Sequence, residues 1–268
     1  MNSTTEDATH GIGAPMELPT MNSTTEDATE HGSMELPFHM RLKSVELSRM
    51  RELTGTQPME TAWEQCWQEG ITPWDVQGVT PVVAQLLRAN QLRDGKALVP
   101  GCGSGYDVVA MGSPTRSVIG LDISPTALHQ AHQLAHNSPH AAQFVEFQNA
   151  DFFSFSPPFK FDLVFDYTFF CAIDPSLRPR WAHKMADLLA VDGELITLMF
   201  PLDDHEGGPP FAVSMDAYEK VLSPCGFRLV SCNSEIPSLN NRTGLEKLGR
   251  WERAVPKLDD SEVTNGGL

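Results

Sequence analysis

Three glycines at alternate positions, Gly101, Gly103 and Gly105, separate the apolar run Ala97-Leu98-Val99 from the segment Tyr106 to Met111, and a second apolar run, Ser117 to Leu121, closes on Asp122. A short apolar run, a glycine turn, a helical segment and another apolar run prescribe a βαβ unit with a parallel strand pair. The glycines let the backbone approach a ligand, and an acid closing the second strand accepts hydrogen bonds from ribose hydroxyls. A nucleoside-bearing ligand is therefore expected.

The alternation continues down the chain. Phe144 to Phe147, Phe161 to Phe165, Glu194 to Met199 and Phe227 to Ser231 read as further strands. Helices are expected from Met59 to Gly70, from Pro81 with Thr80 as cap, over Tyr106 to Met111, from Pro125 to His136 with Ser124 as cap, over Arg180 to Leu189, and from Asp216 to Leu222. The fold class is α/β, a Rossmann-like doubly wound mixed sheet. In such a sheet ligands bind beyond the carboxyl ends of the strands.

The glycine spacing departs from the dinucleotide pattern. Tyr106 occupies the position that G-x-G-x-x-G gives to its last small residue, and a bulky aromatic opposes the close helix-strand packing a glycine there permits. The turn suits S-adenosylmethionine, which has no pyrophosphate to cradle. Asp122, one βα unit on, is expected at the ribose; its other role is to cap the helix after it. Asp151 either accepts the adenine amino group or is a loop carboxylate. Tyr167 follows a run of aromatics that otherwise read as core, and its hydroxyl requires a partner. Trp63 and Trp67 share one helix face and Trp74 follows them; they form a hydrophobic cover or surround a sulfonium cation with indole faces.

Composition bounds the function. The 268 residues suit one large domain, and 19 Lys and Arg against 35 Asp and Glu give a formal charge of -16. Such a surface repels phosphate backbones and excludes a nucleic-acid partner. Five cysteines lack C-x-x-C spacing, which reads as reduced thiols, with neither a disulfide framework nor a metal site. His129, His132 and His136 share a helix face without a completing Cys or carboxylate, so they read as a solvated face, and Cys102 reads as a small space-filler inside the turn. With no long apolar run and no targeting pattern, a cytoplasmic protein without membrane association is expected, as a monomer or weak dimer. Residues 1–40 carry an internal repeat, Met1 to Thr9 recurring as Met21 to Thr29, and are expected as a disordered tail. Residues 41–256 form the expected catalytic domain with a helical lid, and 257–268 a flexible tail. The polar stretch Asp203 to Pro210 is placed to cover a site.

The chain resembles the plant halide and thiol methyltransferases of the thiopurine methyltransferase superfamily. The matching motifs are Trp63-Glu64-Gln65-Cys66-Trp67, Thr72-Pro73-Trp74-Asp75, Val99-Pro100-Gly101-Cys102-Gly103, Gly120-Leu121-Asp122-Ile123-Ser124, Phe165-Asp166-Tyr167, His205-Glu206-Gly207-Gly208-Pro209-Pro210 and Glu246-Lys247-Leu248-Gly249-Arg250-Trp251. The resemblance covers roughly Thr61 to Arg253. The resemblance implies cofactor contacts at Trp63, Trp67, Trp74, Gly101, Asp122, Asp151 and Tyr167, with Gly103 completing the turn. It implies methyl transfer to a small soft nucleophile such as a halide, thiocyanate, bisulfide or another thiol, with Trp74 and Tyr167 bordering the reacting atoms. The rival readings are a methyltransferase of larger aromatic thiols and a non-catalytic cofactor-binding regulator. Members of the family often carry Tyr where this chain has Phe200, and some carry it at Phe211; the stretch Ile236 to Asn241 diverges, so Arg242 is a weaker carry-over.

Overall fold

A computed structural model describes residues 38–253, with side chains from Ser44 onward. The tails expected at either end therefore lie outside the described residues, apart from 38–40. In chain order the elements are α1 (Phe38–Thr56), α2 (Met59–Gln68), α3 (Pro81–Arg88), β1 (Gly95–Pro100), α4 (Tyr106–Met111), β2 (Arg116–Asp122), α5 (Pro125–His136), the single turn α6 (Pro139–Ala142), β3 (Val145–Asn149), β4 (Phe161–Tyr167), α7 (Arg178–Leu188), β5 (Leu189–Met199), α8 (Met215–Leu222), β6 (Phe227–Asn233) and β7 (Lys247–Arg253).

The seven strands form one mixed sheet in the order β3-β2-β1-β4-β5-β7-β6, in which β7 alone runs opposite to the other six. From β1 the chain winds outward to β2 and β3, then crosses back to β4 on the other side of β1 and winds the opposite way. The reversal opens a crevice at the carboxyl ends of β1 and β4.

The strands show why this sheet is covered on both faces. Ala97 and Val99 of β1, with Leu163 and Phe165 of β4, join a core containing Val83 of α3, Val108 of α4 and Leu128 of α5. Leu98 and Val164, one residue out of phase, join Trp181 and Met185 of α7 and Tyr218 of α8. Side chains alternate across a strand, so each run supplies both cores. Met50, Leu53, Ala62 and Cys66 bury a third, smaller cluster between α1 and α2, with Trp63 and Trp74 packed on it.

Several boundaries differ from expectation. The fifth strand begins at Leu189, five residues before the expected Glu194, because Leu189 pairs with Phe161 across a register shift. Helix α2 stops at Gln68, as Gly70 takes a left-handed φ of 68°. Ser124 caps α5 by accepting the Ala127 N–H at 3.0 Å. Thr80, in contrast, makes no side-chain cap: its hydroxyl and N–H both donate to Asp107, at 2.6 and 2.8 Å. Helix α1, whose start at Phe38 falls inside the expected tail, and strand β7 were not expected as elements.

Candidate active site

A cavity of about 610 Å³ lies over the crevice, and every residue expected at the ligand lines it: Trp63, Trp67, Trp74, Gly101, Gly103, Asp122, Asp151 and Tyr167. Each arrives from a different place in the chain. Gly101 and Gly103 follow β1, Asp122 ends β2, Asp151 follows β3, and Tyr167 ends β4.

At the glycine turn the backbone is left-handed, with φ of 59° at Gly101 and 53° at Gly103. A Cβ at Gly101 would stand 2.6 Å from the Phe169 ring, and one at Gly103 would stand 3.1 Å from Trp67. These positions thus require glycine twice over, by conformation and by the aromatic walls on each side. Asp122 ties the turn to the next helix: Oδ2 accepts the Gly103 N–H at 2.8 Å and Oδ1 accepts the Ser124 N–H at 2.9 Å. Burial raises its pKa, against the hydrogen bonds from Ser124 and Gly103. Each carboxylate oxygen retains a lone pair for a ribose hydroxyl. Asp151 accepts the Phe153 N–H at 3.0 Å, which fixes its carboxylate beside Phe152 and Phe153.

The tryptophans meet edge to face, Trp63 and Trp67 each against Trp74, with ring centroids 5.1 and 5.9 Å apart. Glu64, between them on α2, anchors this group to the sheet domain. It accepts Ser124 Oγ at 2.6 Å, Thr126 Oγ1 at 2.6 Å and the Thr126 N–H at 3.1 Å, all at the start of α5. Burial opposes its ionisation, but these donors hold the Glu64 carboxyl below its ordinary range. Ser104 adds a second tie by donating to Asp75, 3.1 Å away on the segment after Trp74. Leu47 and Met50 of α1 and Pro209 and Pro210 of the polar stretch close the cavity, and Arg51 Nε donates to the Pro209 carbonyl at 3.1 Å.

Two residues that sequence reasoning set aside or passed over stand at the far wall, Arg242 lining it and Glu246 behind Tyr167. Arg242 and Glu246 are each only 4% exposed. Arg242 donates to the Tyr167 hydroxyl and, at 2.9 Å, to the Trp74 carbonyl, while its guanidinium stacks on Tyr167 and on Phe200. Tyr167 in turn donates to Glu246 Oε1 at 2.5 Å. Burial raises the Tyr167 pKa, against the attraction of Arg242, so the phenol stays protonated. Arg242 is the only cationic side chain among the described residues lining the cavity, whose other charged groups are Glu60, Asp75, Asp107, Asp122 and Asp151. The backbone after Tyr167 is strained as well, since Thr168 has a φ of 60°.

The expected non-sites also have places in the structure. Cys102 is half-buried within the turn, and desolvation raises its pKa. His129, His132 and His136 lie together on α5, outside this cavity. Among the described residues no group of three or more His, Cys, Asp or Glu side chains is arranged to hold a metal ion, and no helix is long and apolar enough to cross a membrane.

An S-adenosyl group fits these residues: a glycine cradle bounded by rings, a carboxylate at the end of β2 and an aromatic cluster for a sulfonium. Solved structures share the architecture. A chain from the study of conversion of a disulfide bond into a thioacetal group during echinomycin biosynthesis matches with a TM-score of 0.59 at 21% identity, covering 74% of this chain and 92% of that one. The Burkholderia thailandensis 1,6-didemethyltoxoflavin-N1-methyltransferase, bound to S-adenosylhomocysteine, matches with a TM-score of 0.57 at 16% identity over 74% of this chain and 88% of that one. Fold and relatives define a class I S-adenosylmethionine-dependent methyltransferase.

The sequence model of the thiopurine S-methyltransferase family matches residues 59–254, and the chain belongs to that family. Thiocyanate methyltransferase 1 of Brassica oleracea is 53% identical over 194 residues, 72% of this chain and 85% of the relative. A probable thiol methyltransferase 2 of Arabidopsis thaliana is also 53% identical, over 72% of this chain and 84% of its own length. The thiopurine S-methyltransferase of Photobacterium profundum is 25% identical over 63% and 84%.

Proposed function

We propose that this methyltransferase uses thiocyanate and thiols as acceptors, with halide ions as further acceptors. The observation that carries the reading is the corner formed by Trp74, Tyr167 and Arg242, where the one cationic side chain among the described lining residues stands beside the aromatic cluster. An anionic or thiolate acceptor gains from that charge in a cavity whose other charged lining groups are carboxylates. The names of the 53% identical relatives support thiocyanate and thiols.

In this reading Asp122 and the turn at Gly101 and Gly103 hold the nucleoside, Asp151 faces the adenine, and Trp63, Trp67 and Trp74 surround the sulfonium. When bound, S-adenosylmethionine supplies an electrophilic methyl group on that sulfonium. Trp74 and Tyr167 border the transfer path, and Arg242 holds the acceptor. Halides and thiocyanate have no proton to lose, so alignment and exclusion of water suffice for them. The described residues from Phe38 onward act as the catalytic domain, in a cytoplasmic monomer or weak dimer with no nucleic-acid partner.

The test supplies purified protein with S-adenosylmethionine and a panel of chloride, bromide, iodide, thiocyanate, bisulfide and thiophenol. Methylated products are measured in the headspace and S-adenosylhomocysteine in solution. Thiocyanate and the thiols should turn over. Cofactor binding without turnover of any acceptor overturns the reading.

A further inference from the structure

Glu246 has no role in a displacement by thiocyanate or halide, yet it is a nearly fully buried carboxylate directly behind the acceptor wall. The one hydrogen bond its side chain accepts among the described residues comes from Tyr167, at 2.5 Å. A buried carboxylate that accepts a single hydrogen bond keeps most of its lone pairs unpartnered, which costs stability and leaves it able to take the phenol proton. Tyr167 itself is the cavity-lining member of the pair. A hydroxyl donates once and accepts twice. Tyr167 donates to Glu246 and accepts from Arg242 Nη1, which leaves one acceptor position on its oxygen.

We propose that Glu246 is the proton acceptor for thiol substrates, working through Tyr167, and that this relay lets the site use protonated thiols as well as anions. The inference rests on the acceptor reading given above. The thiol S–H proton passes to Tyr167 Oη as the phenol's own proton passes to Glu246 Oε1. The S–H bonding pair stays on sulfur, the phenol ends neutral, and Glu246 ends as a carboxylic acid that later loses its proton to water. The sulfur pair then forms the new S–C bond, while the pair of the broken sulfonium S–C bond leaves with the departing sulfur. Burial, which keeps Tyr167 protonated against the pull of Arg242, makes the phenol a conduit instead of a resting place for the charge. Arg242 and Glu246 are the charged groups facing it, and Arg242 stands ready for the thiolate.

The relay separates acceptors by chemistry, because ethanethiol carries a proton at neutral pH and thiocyanate does not. Full-length protein and a Glu246→Gln variant are assayed with both; Gln keeps the volume and an acceptor oxygen for Tyr167. At neutral pH the ratio of kcat/KM for ethanethiol to that for thiocyanate should fall about 10²-fold in the variant. It should recover at a pH above the thiol's own pKa, where the acceptor arrives ionised. As a measurement needing no variant, the wild-type reaction should show a solvent deuterium isotope effect with ethanethiol and none with thiocyanate. An unchanged ratio, a loss that does not recover with pH, or equal isotope effects overturns the relay while thiocyanate turnover leaves the acceptor reading standing. Absence of thiocyanate turnover in the wild type overturns both.

Discussion

Replacing Asp122 with Asn separates ligand binding from architecture, because its carboxylate is already committed to two backbone donors. The Gly103 and Ser124 N–H groups each take one oxygen, at 2.8 and 2.9 Å. An amide keeps the shape but presents NH2 to one of those donors, so one buried N–H loses its partner at a cost of about 1 to 3 kcal/mol. For a protein of this size that lowers Tm by roughly 2 to 4 °C per kcal/mol. The amide also removes the negative charge from the ribose position, and a charge-assisted hydrogen bond is worth about 1.5 to 3 kcal/mol. At about 1.4 kcal/mol per decade, the Kd for S-adenosylhomocysteine should rise about 10- to 150-fold. Asp166→Asn is the control. Asp166 is 1% exposed, accepts Phe170 N–H and Trp181 Nε1–H at 3.2 and 2.9 Å, and does not line the cavity. It should lose comparable stability with unchanged affinity. Calorimetric titration and thermal unfolding of both variants decide the matter. If Asp122→Asn melts lower but binds S-adenosylhomocysteine as tightly as wild type, the carboxylate only fastens the turn and the ribose assignment is refuted.

Glu64→Ala should cost about 1.5 kcal/mol and weaken S-adenosylhomocysteine binding, since α2 carries Trp63 and Trp67; unchanged calorimetric affinity would show that the anchor does not position them. Because the folded state holds the Glu64 pKa down, its contribution is present above the ordinary carboxylate range and fades as pH falls through the folded value. Asp166 acts in the opposite sense. Burial pushes its pKa up to about 7, so its contribution is full below the ordinary carboxylate value and lost as pH rises through about 7, with Asp107 at about 6 adding to it. The urea midpoint should therefore drop as pH rises from about 4 to about 7, and drop less in Asp166→Asn. Gly103→Ala should cost about 1 to 2 kcal/mol and impair cofactor binding, whereas Gly244→Ala, with φ of 82° and nothing within 4 Å of its Cβ, should cost stability alone; equal effects on binding would refute the cradle.

The parallel half of the sheet was readable because its information is local. Ala97-Leu98-Val99 and Leu163-Val164-Phe165 are uniformly apolar, as strands buried on both faces must be, and their glycine or acidic ends mark the crevice. Helix α1 was not readable in that way. It has a weakly segregated face, and Met50 and Leu53 find their partners only once Ala62 and Cys66 of α2 are laid beside them. Strand β7 carries Arg250, whose guanidinium bonds Glu194 at 2.6 Å, and this charge in a central position disguised a buried strand. Thr80 misled for a related reason: its sequence position favours a cap, but its side chain turns to donate to Asp107 and its oxygen accepts no N–H of α3.

The acceptor wall illustrates the deeper limit. Asp122, Asp151 and Tyr167 are found by walking to the ends of successive parallel strands, a rule that considers only residues at or beyond each carboxyl end. Arg242 and Glu246 precede theirs. Because β7 runs antiparallel to β5, with Met199 opposite Lys247, the residues before β7 arrive at the same edge as the residues after β4 and β5. That reversal brings Arg242 to a hydroxyl 75 positions earlier and a carbonyl 168 positions earlier. A guanidinium reaches both at once because its donors are fixed in a plane, and that plane also lies on Tyr167 and Phe200. A lysine ammonium, with its donors gathered on one atom, cannot keep both contacts and both ring faces. The same arginine therefore joins the cover that carries Trp74 to the wall that carries Tyr167, and the antiparallel strand is what makes that junction possible.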